Sequence, residues 1–212
     1  MGRVRQKSAR NRGRFDDGAS LVKSVLIDPG HGGDNIGCEH GGLVEKDWTL
    51  AMALDLEHWL RAWGFGVILT RTEDESVSLE RRGALGDINH IDLALSLHVN
   101  AYKDPEQDGL MCFTLPDDPV AREVGSAIMR ASPRELLRHK QRPLPSRAGD
   151  WTRDAYSVLR HHAARPAVLI EFGFATSPRD LEILTSPSSR PALCAAVLAG
   201  ASRFHELSGS VD

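Results

Sequence analysis

The 212 residues carry 26 lysines and arginines against 29 aspartates and glutamates, a formal net charge of −3, with 41% apolar and 26% charged positions. A chain of that length buries a core without disulfide or metal staples, and the balance is that of one ordinary globular domain rather than of a nucleic-acid binder held by net positive charge. No apolar run is long enough to span a bilayer, and Cys38, Cys112 and Cys194, widely spaced and never in a C-x-x-C pair, argue against a disulfide framework.

The chain opens with Arg3, Arg5, Lys7, Arg10, Arg12 and Arg14 ahead of any hydrophobic run. Residues 1–22 therefore read as a basic disordered tail, either a solvated arm or a contact for an anionic surface. No apolar segment follows at signal-peptide distance, so synthesis in the cytosol without a leader is expected. The folded domain is expected over 23–208. Its first strand is Val25, Leu26 and Ile27, which passes directly into the turn Asp28-Pro29-Gly30-His31-Gly32-Gly33. Glycines on both sides of His31 free the backbone and Pro29 fixes one dihedral, so an imidazole is held at a strand end.

A loop over 32–42 carries five glycines and Cys38, which is either a spacer or a thiol near the site. A helix fits 45–63, with Trp48, Met52, Leu56, Trp59 and Leu60 at helical spacing, Gly64 as the stop, and Glu45 in its first turn. Residues 65–70 (FGVILT) read as a second buried strand, and a second helix starts near Ser78 with Leu79, Arg82, Leu85 and Ile88. Residues 92–101 (DLALSLHVNA) repeat the logic of the first strand, running into His98.

Residues 109–115 predict a fourth strand and 119–131 a helix with Val120, Val124, Ile128 and Met129 inward. Residues 132–149, rich in Pro, Arg and Ser, read as a surface excursion with a short helix near 135–139, and 157–160 as a short strand. Residues 167–174 (AVLIEFGF) are a buried strand with one charge, Glu171, inside it; helices over 178–184 and 192–207 close the chain. Strands alternating with helices predict an α/β fold, a mostly parallel (mixed) sheet of about five to six strands flanked by helices on both faces in a single domain. Ligands of such sheets bind outside the carboxyl ends of the strands, where His31, His98 and Glu171 all lie.

Catalytic zinc takes three protein ligands, commonly two His and one carboxylate, and keeps one position open. His31, Glu45 and His98 make up that set from two strand ends and one helix start, although their dispersed spacing does not by itself prove it. His40 reads as solvated. His161 and His162 are placed to line a groove, Asn100 either orients a ligand or caps its strand, and Arg71 and Arg82 either hold loops or touch substrate.

DPGHGG at 28–33, EKD at 45–47, LTR at 69–71, Arg82 with SLHVNA at 96–101, VLR at 158–160 and PAVLIEFGF at 166–174 occur in one order. Together they resemble the zinc-dependent N-acetylmuramoyl-L-alanine amidase catalytic domain, amidase type 3, over about residues 24–204. The resemblance implies one Zn²⁺ bound by His31, Glu45 and His98, with Glu171 as catalytic carboxylate. It implies peptidoglycan as the partner, through hydrolysis of the amide between the lactyl group of N-acetylmuramic acid and L-alanine of the stem peptide. Asn100, Arg71, Arg82 and His161 stand as substrate-contact candidates. Asn35 departs from a frequent Asp, Cys38 from a small residue, and Gly86-Asp87 from Ala-Asn; none of these removes a ligand.

A carboxylate within an apolar strand costs free energy unless a partner or a function holds it there, which suits Glu171 to taking a proton from the attacking water and passing it to the leaving nitrogen. A zinc exopeptidase on free peptides and an inactive wall-binding module are the rival readings. A monomer is expected, without nucleic acid and without stable membrane insertion, acting at the bacterial wall after release in the manner of a phage endolysin. With no long helical insertion to plug the groove, constitutive activity is expected.

Overall fold

The structure, a computed structural model, describes residues 22–137, 159 and 166–209. In chain order its elements are β1 (Ser24–Pro29), β2 (Glu39–His40), β3 (Leu43–Val44), α1 (Glu45–Trp63), β4 (Gly66–Leu69) and α2 (Leu79–Ile88). There follow β5 (Leu93–Asn100), β6 (Met111–Phe113), α3 (Pro119–Ala131), a 3₁₀ turn at Arg134–Leu137, β7 (Ala167–Phe174), α4 (Pro178–Thr185) and α5 (Ser189–Gly209).

Five strands form one sheet in the order β4-β1-β5-β7-β6. β1 runs parallel to β4 and to β5, β5 runs parallel to β7, and β6 closes the edge antiparallel to β7. The inner strands are covered on both faces, which is why they read as continuous apolar runs rather than as alternation. Alternate residues still sort to opposite sides. Val25, Ile27, Leu93, Leu95, Val168 and Ile170 join the larger cluster with Met52, Leu56, Val124, Ile128 and Val197, while Leu26, Ala94 and Leu169 join a smaller one with Ile91, Phe113 and Leu159. The larger cluster lies under α1, α3 and α5, with α1 and α3 each packing on α5.

The helix boundaries follow their caps. Asp118 accepts from the Ala121 N–H at the start of α3, Ser78 from the Arg81 N–H at α2, and Ser177 from the Asp180 N–H at α4. α1 ends on Gly64, whose N–H donates to the Leu60 and Arg61 carbonyls.

The five strands lie within the expected five to six, and several finer expectations are corrected. The glycine loop carries the small antiparallel hairpin β2/β3, whose two-residue strands are too short to give a periodic signal. Only Met111–Phe113 of the fourth predicted strand is paired, and it runs antiparallel. Leu159, the described residue of the predicted strand at 157–160, is helical and buried in the smaller cluster, so its apolar character reflects burial and not a strand. The last helix is longer at both ends, because Pro191 falls in its first turn, where no N–H is needed. Of the excursion after Ser132, the described part is the 3₁₀ turn with Leu136 buried. The basic tail up to residue 21 and residues 138–149 lie outside the described residues. Among the described residues, no helix is long and apolar enough to cross a membrane.

Because β1, β5 and β7 are parallel, their carboxyl ends share one edge. Pro29 is the register partner of Leu97, and His98 that of Glu171. α1 starts at the same edge, since the loop leaving β1 delivers the chain there.

Candidate metal centre

The loop after β1 is folded tightly against the ends of its neighbours. The Gly30 N–H donates to the Leu97 carbonyl at 2.9 Å, and a Cβ at Gly30 would lie 2.4 Å from Cε1 of His98. Only a residue without a side chain lets that imidazole rest on the end of β1. His31 itself adopts a left-handed backbone, φ 61°. Gly37 does the same at φ 70°, and a Cβ there would meet Oε2 of Glu45 at 2.4 Å.

These approaches bring three side chains together. Glu45 Oε1 lies 3.1 Å from Nε2 of His31 and 3.0 Å from Nδ1 of His98. The two rings meet edge to face with centroids 5.1 Å apart, and one donor atom from each of the three residues falls within 4.8 Å of the others. Backbone donors fix the carboxylate: the Val99 N–H donates to Oε1 at 3.0 Å and the Cys38 N–H to Oε2 at 2.9 Å. Nδ1 of His31 lies 2.9 Å from Oδ1 of Asn35. Two imidazole nitrogens and a carboxylate oxygen converging in this way can hold a divalent ion, and a set of borderline nitrogen with hard oxygen donors suits zinc.

The electrostatics agree with a cluster of coupled charge. Burial alone would raise the Glu45 carboxyl, but bonds to the His31 and His98 rings hold it well below the usual carboxylate range. Burial opposes charge on His98, yet its bond to Glu45 and the neighbouring charge of Glu171 raise it.

Glu171 is the adjacent acid. Its Oε2 is buried and has no hydrogen-bond partner among the described residues. Burial pushes its carboxyl up to about 7, with the Glu45 charge adding to the rise and the two histidines opposing it. A buried carboxylate oxygen without a partner is costly, and here it lies beside a cluster that can supply positive charge.

Cys38, left open by the sequence, is beside the site through its backbone. Its thiol is half-buried, lies 3.5 Å from the Val99 carbonyl, and is pushed up to about 12 by burial and by Glu45. It stays a protonated spacer, since only the thiolate is a good metal ligand.

Arg71 and Arg82 are not where a substrate contact would need them. Both are buried, at 2% and 5% exposure, and both face inward. Arg71 donates to the carbonyls of Pro29, Gly30, Lys46 and Glu73. Arg82 donates to those of Val77, Pro29 and His31 and to Oδ1 of Asp28. Of the two roles expected of them, holding loops and touching substrate, these contacts fit the first: the loop that turns at His31 has inward-facing carbonyls, and two guanidinium forks satisfy them.

Asn100 caps its strand, its Oδ1 accepting from the Ala101 N–H at 2.8 Å. His40 is exposed in β2, outside the cluster. His161 and His162 lie outside the described residues.

The sequence reading missed the supports. Lys46 donates to the Gly33 carbonyl at 2.9 Å and pairs with Asp74 at 2.6 Å, while Asp74 accepts from the Gly33 N–H at 2.7 Å, which pins the loop to the segment after β4. Asn35 registered only as a departure from a frequent Asp. The nearest available signal was its place four residues after His31 in a glycine-rich turn.

Acids and imidazoles gathered at the open ends of a parallel sheet are the arrangement of an enzyme rather than of a binding scaffold. The family model for N-acetylmuramoyl-L-alanine amidase matches residues 25–203, and the chain belongs to that family. Its relatives include the probable cell wall amidase LytH of Staphylococcus aureus, 31% identical over 181 residues, covering 84% of this chain and 57% of that protein. The chain thus spans a little over half the length of the curated relatives it matches.

Among solved structures, the CwlD amidase of Clostridioides difficile, in complex with the GerS lipoprotein, superposes with a TM-score of 0.74 at 25% identity, covering 87% of this chain and 99% of that one. The N-acetylmuramoyl-L-alanine amidase AmiC2 of Nostoc punctiforme gives 0.74 at 25% identity, covering 87% and 97%.

Proposed function

We propose that the protein is a zinc-dependent peptidoglycan amidase, hydrolysing the amide between the lactyl group of N-acetylmuramic acid and the L-alanine of the stem peptide. The observation that carries this is the approach of Nε2 of His31 and Nδ1 of His98 to one oxygen of Glu45, within 3.1 Å, with Glu171 in register beside His98. His31, Glu45 and His98 would hold the ion, which when bound supplies Lewis acidity at an open coordination position.

Glu171 does the proton work. An acid titrating near 7 can accept a proton from the attacking water at neutral pH and return it to the departing amide nitrogen. Its place within β7 fixes the backbone from which the carboxylate projects, while the Val99 and Cys38 N–H groups hold the Glu45 carboxylate. Work on this substrate would be done at the bacterial cell wall.

An exopeptidase needs a cation to receive a terminal carboxylate, and the two arginines best placed in sequence are buried and engaged with backbone carbonyls. That favours an internal amide.

The test is mass spectrometry of peptidoglycan digested with and without a zinc chelator. Expected is chelator-sensitive release of stem peptides bearing a free L-alanine amino group, with the glycan left intact. Release of single amino acids from free peptides, with no separation of peptide from sugar, would overturn the reading.

A further inference from the structure

The imidazole of His31 has two ring nitrogens, and both are in use. Nε2 faces the oxygen of Glu45, and Nδ1 faces one atom of the Asn35 side-chain amide at 2.9 Å. The identity of that amide atom is settled by a third group: the backbone N–H of Gly37 donates to it at 3.2 Å. An N–H needs an acceptor, so the atom is the carbonyl oxygen and not the NH₂. An amide oxygen only accepts, so the hydrogen in the contact with His31 sits on Nδ1. In the neutral ring, Nε2 then carries the free lone pair and faces the Glu45 carboxylate oxygen across 3.1 Å, two acceptors that need a cation between them, and it is the nitrogen directed into the cluster.

The side chain is held in place to do this. The backbone of Asn35 pairs both ways with Gly32, at 2.9 and 3.2 Å, so the turn from His31 to Asn35 is closed independently of the side chain. Gly37 brings its N–H to the same oxygen from a left-handed conformation, where a Cβ would run into Glu45.

We propose that Asn35 is a positioning residue that selects the Nδ1–H tautomer of His31 and so presents Nε2 as a metal ligand; this rests on the zinc reading above. It does so without adding charge. Glu45 and Glu171 already contribute two carboxyl groups to the cluster, and an amide satisfies the imidazole N–H while leaving that number unchanged.

Zinc affinity, measured by competition with a chromogenic chelator, tests the role in the parent and in Asn35→Ala, Asn35→Leu and Asn35→Asp. Thermal unfolding of the metal-free proteins reports whether the loop and fold survive. Because Asn35 is exposed and water can partly replace its oxygen, the loss in the Ala and Leu variants is expected at the lower end of the range for such partners, about tenfold. Asn35→Asp keeps both acceptor contacts and is expected to bind at least as tightly as the parent. In ¹⁵N NMR of the zinc-loaded parent, a slowly exchanging Nδ1–H of His31 is expected, and it should be lost in Asn35→Leu.

Ala and Leu variants that bind zinc as tightly as the parent would overturn the role of Asn35 and leave the zinc reading standing, as would an Asp variant as weak as the Ala variant. A parent that takes up no zinc would overturn both.

Discussion

Arg82, in the first turn of α2, donates through Nη2 to the backbone carbonyl of His31 at 2.8 Å and through Nη1 to the carboxylate of Asp28 on β1. One side chain from the opposite side of the sheet edge thereby locks the strand and the histidine that follows it. Asp28 is otherwise bonded by the hydroxyls of Thr70 and Ser96, at 2.6 and 2.8 Å, so the buried ion pair is fully enclosed by donors. Removing the cation leaves a buried carboxylate and takes a donor from three carbonyls, those of Val77, Pro29 and His31, of which Pro29 keeps Arg71. Arg82→Met is expected to cost about 3–5 kcal/mol in urea unfolding and to abolish zinc retention. Arg82→Lys is expected to recover little of either, since one ammonium cannot span carboxylate and carbonyls as a planar fork does.

Asp28 also sets an acid limit. Burial alone would raise its carboxyl, but the Arg82 charge and the bonds from Thr70, Arg82 and Ser96 hold it below its usual value. A carboxyl lowered in the folded state adds stability above its unfolded value, near 4, and that contribution fades as pH falls through the folded value. The parent should lose stability progressively below about pH 4. Asp28→Asn, already destabilised at neutral pH, should show a flatter acid limb in denaturation monitored by circular dichroism.

Glu171 works in the opposite direction. Its carboxyl is raised to about 7, chiefly by burial, so in the metal-free protein the protonated form is the comfortable one and stability is lost as pH rises from about 4.5 through 7. Metal-free Glu171→Gln should therefore be more stable than the metal-free parent at pH 8, by up to about 3 kcal/mol, and indistinguishable from it at pH 4. With zinc supplied, the same variant should keep its metal content and lose about 10²–10⁴-fold in turnover. A variant that clears peptidoglycan at the parent rate would remove Glu171 from the chemistry.

Gly30→Ala probes the close approach of β1 to His98. The added Cβ would sit 2.4 Å from the ring, and because the ring is packed rather than free the imidazole must rotate out of the cluster. Zinc affinity should fall roughly tenfold or more, with about 1–3 kcal/mol lost in stability. An unchanged affinity would mean that His98 reaches the ion from another orientation.

Much of this architecture is visible in one dimension. The runs at β1, β5 and β7 are apolar because parallel inner strands are buried on both faces; His31 stands out just past the end of the first, His98 near the end of the second and Glu171 as the lone charge inside the third. Helix α1 was legible to its ends from Glu45 to the Gly64 stop, because apolar spacing and termination are local properties. What the linear order could not supply is direction and distance.

Arg71 and Arg82 read in sequence as either loop holders or substrate contacts, and only the fold shows them as buried posts under the His31 loop, because their partners are largely backbone carbonyls, which every residue carries and no motif records. The hairpin β2/β3 and the helical state of Leu159 escaped for a related reason, being segments too short for a period to develop. Asn35 and Gly37 acquire meaning only when the fold sets one amide oxygen between a ring nitrogen and a backbone N–H.

The sequence by itself determined the α/β class, the strand ends at which chemistry is possible and the residue types able to perform it, since burial and periodicity are written along the chain. Only the tertiary structure decided which of those residues share a space and which hold the others in place, because hydrogen bonds between segments 40 to 70 positions apart depend on packing that no local pattern encodes.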